Sequence, residues 1–240
     1  MWKILFELGD RFFAIVPIKK WRDFLRKNVL FDYRNKLNAL RNARPDLDFS
    51  KMQLAKGGGS LVFIIGDDTF KVRKHVYESN KFNRFQREKS ITDALRPFCT
   101  IDIPNINLFK SGEFLFYETK RIPGKLLIDI PTWKIKKYQK QISKQLAEFI
   151  YKKSLAKPKE LDDLRKIPEK PGYSWNHGDM CSNILINPKN MIITGIIDWE
   201  WAGYEKIERE FDGLVRVRKK MQKIGLDKST LAEYEKISAN

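Results

Sequence analysis

The sequence predicts an α+β fold whose strands gather mostly in the first half and whose helices gather in the second. Three observations carry this. Short β-prone runs punctuated by glycine turns fill residues 52–74. Apolar residues at helical spacing recur over 77–95 and again over 135–149. From Tyr173 to Glu200 the pattern is strand, polar loop, strand, turn, strand, with an acidic residue on either side of the hairpin.

A length of 240 residues and a hydrophobic content of 42% suit one two-lobed domain or two small ones, and exclude a disordered chain. The net charge of +17 implies an anionic partner: nucleic acid, an acidic membrane surface or a phosphorylated substrate. Cys99 and Cys181 make neither a disulfide framework nor a metal-ligand pattern, which points to a reducing cytoplasm. No apolar run is long enough for a transmembrane helix, and Glu7, Asp10 and Arg11 break up any signal-peptide core.

Residues 1–48 read as a basic amphipathic extension of short helices. Trp2, Phe6, Phe12, Phe13, Trp21 and Phe24 lie beside a run of Lys and Arg from Lys19 to Arg44, within which the acids are Asp23 and Asp32. This composition suits a helix lying on an anionic bilayer over residues 1–45; the alternative is that the aromatics pack on the protein body. Nucleic-acid binding is disfavoured, because no nucleic-acid module is visible. Residues 52–56, 61–65 and 69–74 read as three strands, joined by Gly57-Gly58-Gly59-Ser60 and by Gly66-Asp67-Asp68. The glycine run lets backbone amides approach a phosphate, or is simply a flexible hairpin loop. Phe82, Phe85, Ile91 and Leu95 give one stripe of a helix over 77–95 that Pro97 ends. Residues 113–118 read as a further strand, and 101–110 as one by resemblance alone, to a proline-marked strand. Ile135, Tyr138, Ile142, Leu146 and Phe149 stripe a central helix whose other face is basic. A short helix fits 160–166.

Ile184-Leu185-Ile186 and the β-branched run from Met191 to Ile197 flank the turn Asn187-Pro188-Lys189-Asn190. The hairpin brings Asp179, on the loop before it, close to Asp198, just after it, with Asn183 between them. Two carboxylates and an amide form an oxygen-rich site suited to Mg²⁺.

His177-Gly178-Asp179, then Asn183-Ile184-Leu185, then Ile197-Asp198-Trp199-Glu200 resemble the signature of the aminoglycoside phosphotransferase and choline kinase family, over about two thirds of the chain. The resemblance implies a two-lobed protein-kinase-like fold: an antiparallel-sheet N-lobe at 49–119 and a mostly helical C-lobe at 120–240. It implies a kinase using ATP and Mg²⁺, with Asp179 accepting the acceptor hydroxyl's proton and Asn183 and Asp198 holding the metal. By the same resemblance Lys71, with Arg73 as competitor on the same strand face, meets the nucleotide phosphates and pairs with Glu88. Gly57, Gly58, Gly59 and Ser60 cover the phosphates. Tyr117, Glu118 and Thr119 form the hinge that receives adenine. His177 is structural, Trp199 is core, and an Asp in the segment Glu210–Leu214 fixes the catalytic loop. The loop between Asp179 and Asn183 is one residue shorter than in protein kinases, so either its backbone tightens or Ser182 supplies an oxygen.

Aminoglycosides and choline are cationic, so the basic charge argues for an anionic acceptor. Best matched is a lipopolysaccharide core or another surface glycan, phosphorylated at the inner face of the membrane. An aminoglycoside or choline kinase is the alternative acceptor class. A catalytically inactive kinase-like binding module is the alternative of another kind, and the short loop is the feature that favours it.

Overall fold

The computed structural model describes residues 31–55, 60–73, 84–215 and 219–239. These fall into two compact units, one within Met1–Lys81 and Ile106–Arg121, the other within Phe82–Asn105 and Ile122–Asn240. The sequence reading ran the first lobe unbroken from 49 to 119; residues 82–105 group instead with the second unit.

The first unit holds a five-stranded antiparallel sheet. Its strands are β1 (Gln53–Ala55), β2 (Ser60–Ile65), β3 (Asp68–Arg73), β4 (Asn107–Ser111) and β5 (Phe114–Lys120), in the order β1-β2-β3-β5-β4. Alternation sets the faces: Phe63, Ile65, Phe70 and Val72 are buried on one side, which leaves Lys71 and Arg73 together on the other. Gly66 opens the two-residue turn between β2 and β3 at φ +59°, the conformation a type II′ hairpin requires at its first central residue.

Helix α1 (Phe31–Ala43) packs on this sheet. Tyr33, Leu37 and Leu40 join the core cluster of Phe63 and Phe70, and Ser111 Oγ donates to the Ala39 carbonyl at 2.8 Å. The basic residues divide by face: Arg34 and Arg41 are exposed, while Lys36 is buried with its ammonium 5.6 Å from the Phe114 ring centre. The apolar side of this part of the extension is therefore used in packing rather than left for a bilayer. Residues 1–30, which carry the rest of the expected amphipathic arm, lie outside the described residues, as do Gly57, Gly58, Gly59 and the expected helix start at 77–83.

The second unit begins with α2 (Arg84–Leu95), closed by a 3₁₀ turn at Arg96–Phe98 where Pro97 blocks continuation. The strand expected over 101–110 exists only from Asn107. Ile101 and Ile103 are buried in the second unit's core, but Pro104 offers no N–H for a ladder, and Asp102 instead accepts one bond from Ile196 N–H at 2.9 Å. The central stripe is split into α3 (Thr132–Lys137) and α4 (Gln139–Ser154), with a break at Tyr138, whose φ of −108° and ψ of 14° leave the helical region. The segment expected as a helix over 160–166 is a 3₁₀ run, Lys159–Leu164.

Two small sheets follow: β6 (Lys125–Leu126), β8 (Ile184–Ile186) and β9 (Ile193–Ile196) in one, and β7 (Tyr173–Asn176) with β10 (Gly203–Lys206) in the other. Helices α5 (Glu208–Gly213), α6 (Lys219–Ile224) and α7 (Leu226–Ser238) complete the unit, and α7 packs along α4. Ser143 and Ser229 bond across that contact at 2.7 Å, and the Tyr151 and Tyr234 rings meet edge to face.

Candidate active site

Strand β7 delivers His177, Gly178 and Asp179 to the mouth of the β8–β9 hairpin. His177 is fully buried, and both ring nitrogens are in use. Nε2 lies 2.9 Å from the Ile197 carbonyl, and Nδ1 lies 3.3 Å from the Asp179 N–H. The carbonyl can only accept and the N–H can only donate, so the ring is the neutral Nε2-protonated tautomer. Burial lowers its pKa, which keeps it neutral. Trp199 covers the imidazole with ring centres 4.7 Å apart and is itself buried against Phe149. His177 is thus structural and Trp199 is core, as the sequence indicated.

Gly178 has φ +85°, and a Cβ there would lie 2.6 Å from the Trp201 carbonyl oxygen. Only glycine passes this point. The three residues Met180–Ser182 form one 3₁₀ turn, and Asn183 N–H closes it on the Met180 carbonyl at 2.9 Å. The short loop is accommodated by this tightening. Asn183 is 8% exposed, and its Nδ2 donates to the Asp179 carbonyl at 2.7 Å. The amide nitrogen is committed to the loop, so the donor Asn183 can offer a cation is Oδ1. The Asn183 carbonyl in turn accepts from Ile197 N–H at 3.0 Å, which ties the loop to the residue preceding Asp198.

Asp198 follows β9 in the left-handed region at φ +66°. A non-glycine residue held there costs of the order of 1–3 kcal/mol and persists where its surroundings over-determine it. One such constraint is visible: the next N–H, of Trp199, donates to Glu88 Oε1 at 3.2 Å. Glu88, expected as the partner of Lys71, steadies the backbone behind Asp198 from within the buried face of α2. Lys71 lies in the first unit on β3, opposite Tyr117, with its ammonium 4.7 Å from the Tyr117 ring centre. Ser60 opens β2 and is 9% exposed. Tyr117, Glu118 and Thr119, expected at a hinge, are inside β5, which runs to Lys120. Tyr117 is buried, and Glu118 is held by Arg44 and by Asn107 Nδ2.

The donors at the hairpin mouth fit a hard cation. Asp179, Asp198 and Asn183 Oδ1 offer oxygen only, and both nitrogens of His177 are consumed. Among the described residues no cluster of three or more His, Cys, Asp or Glu makes an all-protein metal cage. That composition suits Mg²⁺, which takes one or two carboxylates and completes its shell with water and phosphate oxygens.

The sequence reading missed the anchor of the loop. It placed that role on an Asp in the Glu210–Leu214 segment; Asp212, the one Asp there, is exposed, and Glu210 performs the role instead. His177 N–H donates to Glu210 Oε2 at 2.8 Å, and Glu210 Oε1 pairs with Lys153 Nζ at 2.8 Å, both side chains being fully buried. Lys153 also donates to the Trp175 carbonyl on β7. The signal was present: Ile142, Leu146, Phe149 and Lys153 share one buried stripe of α4, and a lysine on such a stripe requires a buried partner.

Beside Gly178 opens a cleft of about 230 Å³. Asn176, Gly178, Trp201 and Gly203 form its walls, and Glu205, Asp212 and Arg209 supply its charge.

No protein-family model and no curated protein sequence matches this chain. Solved structures do. The GDP complex of aminoglycoside 2'-phosphotransferase-IIIa superposes with a TM-score of 0.64 at 14% identity, covering 84% of this chain and 82% of that one. The streptomycin–ATP complex of the aminoglycoside phosphotransferase APH(2")-IIa gives 0.60 at 12% identity over 82% and 83%. Macrolide 2'-phosphotransferase from Brachybacterium faecium gives 0.57 at 11% identity over 83% and 82%. The fold is therefore that of these phosphotransferases, with an antiparallel-sheet N-lobe and a mostly helical C-lobe.

Proposed function

We propose that this chain, sharing the fold of the aminoglycoside phosphotransferases, is a kinase that moves the γ-phosphate of ATP to a hydroxyl of a small molecule or glycan. The observation that carries this is the oxygen-donor trio Asp179, Asn183 and Asp198, on a loop whose backbone is over-determined by His177, Glu210 and Glu88. Asp179 orients the acceptor hydroxyl and takes its proton. Asn183 Oδ1 and Asp198 hold Mg²⁺, which when bound neutralises charge on the phosphates. Lys71, Gly57, Gly58, Gly59 and Ser60 serve the phosphates, and Glu88 completes the nucleotide-site residues. The backbone at the end of β5, past its pairing with β4, receives the base. Support for the nucleotide comes from the neighbours' own complexes with GDP, ATP and ADP.

The acceptor lies in the cleft beside Gly178. There Glu205 and Asp212 face a single Arg209, a lining that favours a polyhydroxylated acceptor that is neutral or bears amines, as kanamycin, streptomycin and gentamicin do in the neighbours' complexes. The anionic, lipopolysaccharide-core or surface-glycan acceptor rests on the net charge of +17. Labelled ATP offered with aminoglycosides, neutral polyols and lipopolysaccharide-core saccharides decides between them by which product carries the label. Labelling of no class, together with no Mg²⁺-dependent thermal shift by ATP, identifies an inactive binding module instead.

Gly203 gives a direct test of the cleft. A Cβ there meets only the Glu205 side chain, no nearer than 3.8 Å, so Gly203→Leu fills space without breaking the backbone. The variant is expected to raise KM for the acceptor at least tenfold while leaving the ATP affinity unchanged. An unchanged acceptor KM would place the acceptor elsewhere.

Peripheral association at the inner face of a membrane rests on Lys19, Lys20, Arg22, Arg26 and Lys27 beside Trp21 and Phe24. Each contributes about 1 kcal/mol at an anionic surface and less as salt rises. Sedimentation with anionic but not neutral vesicles, lost at high salt and on deletion of residues 1–30, is the expected result.

A further inference from the structure

The ribbon that carries the catalytic loop has two faces, and the proposed phosphotransfer uses one. In the register of β7 with β10, Gly203 opposes Asn176, Tyr204 opposes Trp175, Glu205 opposes Ser174 and Lys206 opposes Tyr173. Side chains alternate along each strand. Asn176, Gly203 and Glu205 therefore serve the cleft beside Gly178, and Tyr173, Trp175 and Tyr204 stand on the opposite face.

That opposite face opens into a larger cleft, of about 410 Å³. Its floor is aromatic: the Tyr204 ring centre lies 5.9 Å from that of Tyr173 and 5.8 Å from that of the buried Trp175, the planes tilted by 37° and 56°, and the Arg165 guanidinium lies 5.4 Å from the Tyr204 ring centre. Its rim is basic. Lys157, Arg165 and Lys170 line it with Glu169 as the one carboxylate. Glu169 is shared by Lys157 at 2.7 Å and Arg165 at 3.1 Å, and Arg165 also pairs with Asp162. Lys170 has no carboxylate partner among the described residues; its ammonium lies 4.1 Å from the Tyr173 ring centre. The Lys170 N–H donates to the Tyr204 hydroxyl at 3.2 Å, which fixes this rim to the ribbon.

We propose that this cleft is a second binding site, for an anionic sugar, separate from the acceptor cleft. Tilted aromatic rings present apolar surface to the C–H groups of a sugar ring. The Lys170 ammonium, which no rim carboxylate balances, supplies charge-assisted hydrogen bonds to a phosphate or carboxylate on that ring. The proposal stands on this cleft's own lining and does not require the kinase reading.

The probe is glucose 6-phosphate, with glucose and inorganic phosphate as controls, titrated calorimetrically into the full chain without ATP. Glucose 6-phosphate is expected to bind at least tenfold more tightly than either control, since only it offers both ring and charge. Lys170→Glu, at an exposed position, and Tyr173→Leu, which removes the ring, are each expected to weaken it at least tenfold. Gly203→Leu, which fills the other cleft, is expected to leave it unchanged. Absent binding, equal binding of inorganic phosphate alone, or loss on Gly203→Leu with retention in Lys170→Glu would each overturn the proposal, and none of these bears on phosphotransfer.

Discussion

Asp179→Asn is expected to lower kcat for phosphoryl transfer by about 10²–10⁴-fold while the chain folds and binds ATP as before. Two bonds that shape the loop at this residue are made by main-chain atoms: the Asp179 N–H donates to His177 Nδ1, and the Asp179 carbonyl accepts from Asn183 Nδ2. Asparagine preserves both and removes the carboxylate that accepts the proton. Asp198→Ala has a different expected signature. It removes a carboxylate from the cation site, so Mg²⁺-dependent ATP binding falls together with turnover. Calorimetric titration of ATP with and without Mg²⁺, beside a turnover assay, separates the two outcomes. Undiminished transfer in both variants would sink the kinase reading.

Glu210→Ala is expected to cost about 3–5 kcal/mol of folding stability, because it leaves the buried Lys153 ammonium without its counter-charge. It also leaves the His177 N–H without its acceptor, a loss of about 1–3 kcal/mol when the group stays buried. The two costs separate in a double-mutant cycle. Adding Lys153→Met to Glu210→Ala removes the stranded charge and is expected to restore much of the lost stability. It does not restore the His177 bond, so turnover stays low in the double variant. Denaturant midpoints and kcat for the two single variants and the double measure each part. Additive single effects, with no recovery in the double, would show that Lys153 and Glu210 act independently and that the loop has another anchor.

The strands from β1 to β3 and the β8–β9 hairpin were legible because each is specified locally. Phe63, Ile65, Phe70 and Val72 alternate with polar or less buried neighbours, and Gly66 sits where the II′ turn needs it. The residues of the proposed site were legible too, because they cluster in two short motifs at the ends of one hairpin. The run Ile101–Ile106 misled, since its burial looks like that of a strand while Pro104 withholds the ladder bond. Tyr138 misled in the opposite way: its place on the apolar stripe says which side is buried, not that the helix continues through it.

Sequence by itself determined which faces are buried and which oxygens stand at the hairpin mouth, for both follow from period and spacing over a few residues. Only the tertiary structure decided what holds those oxygens in place. The bond from His177 to Glu210 spans 33 positions and that from Trp199 to Glu88 spans 111. Whether Glu210 or Asp212 turns inward depends on the angle at which α5 meets the loop, and no local pattern encodes that angle. The same holds for the two faces of the β7–β10 ribbon: alternation separates Tyr204 from Glu205, but only the pairing of distant strands sets Tyr204 beside Trp175 and makes an aromatic floor.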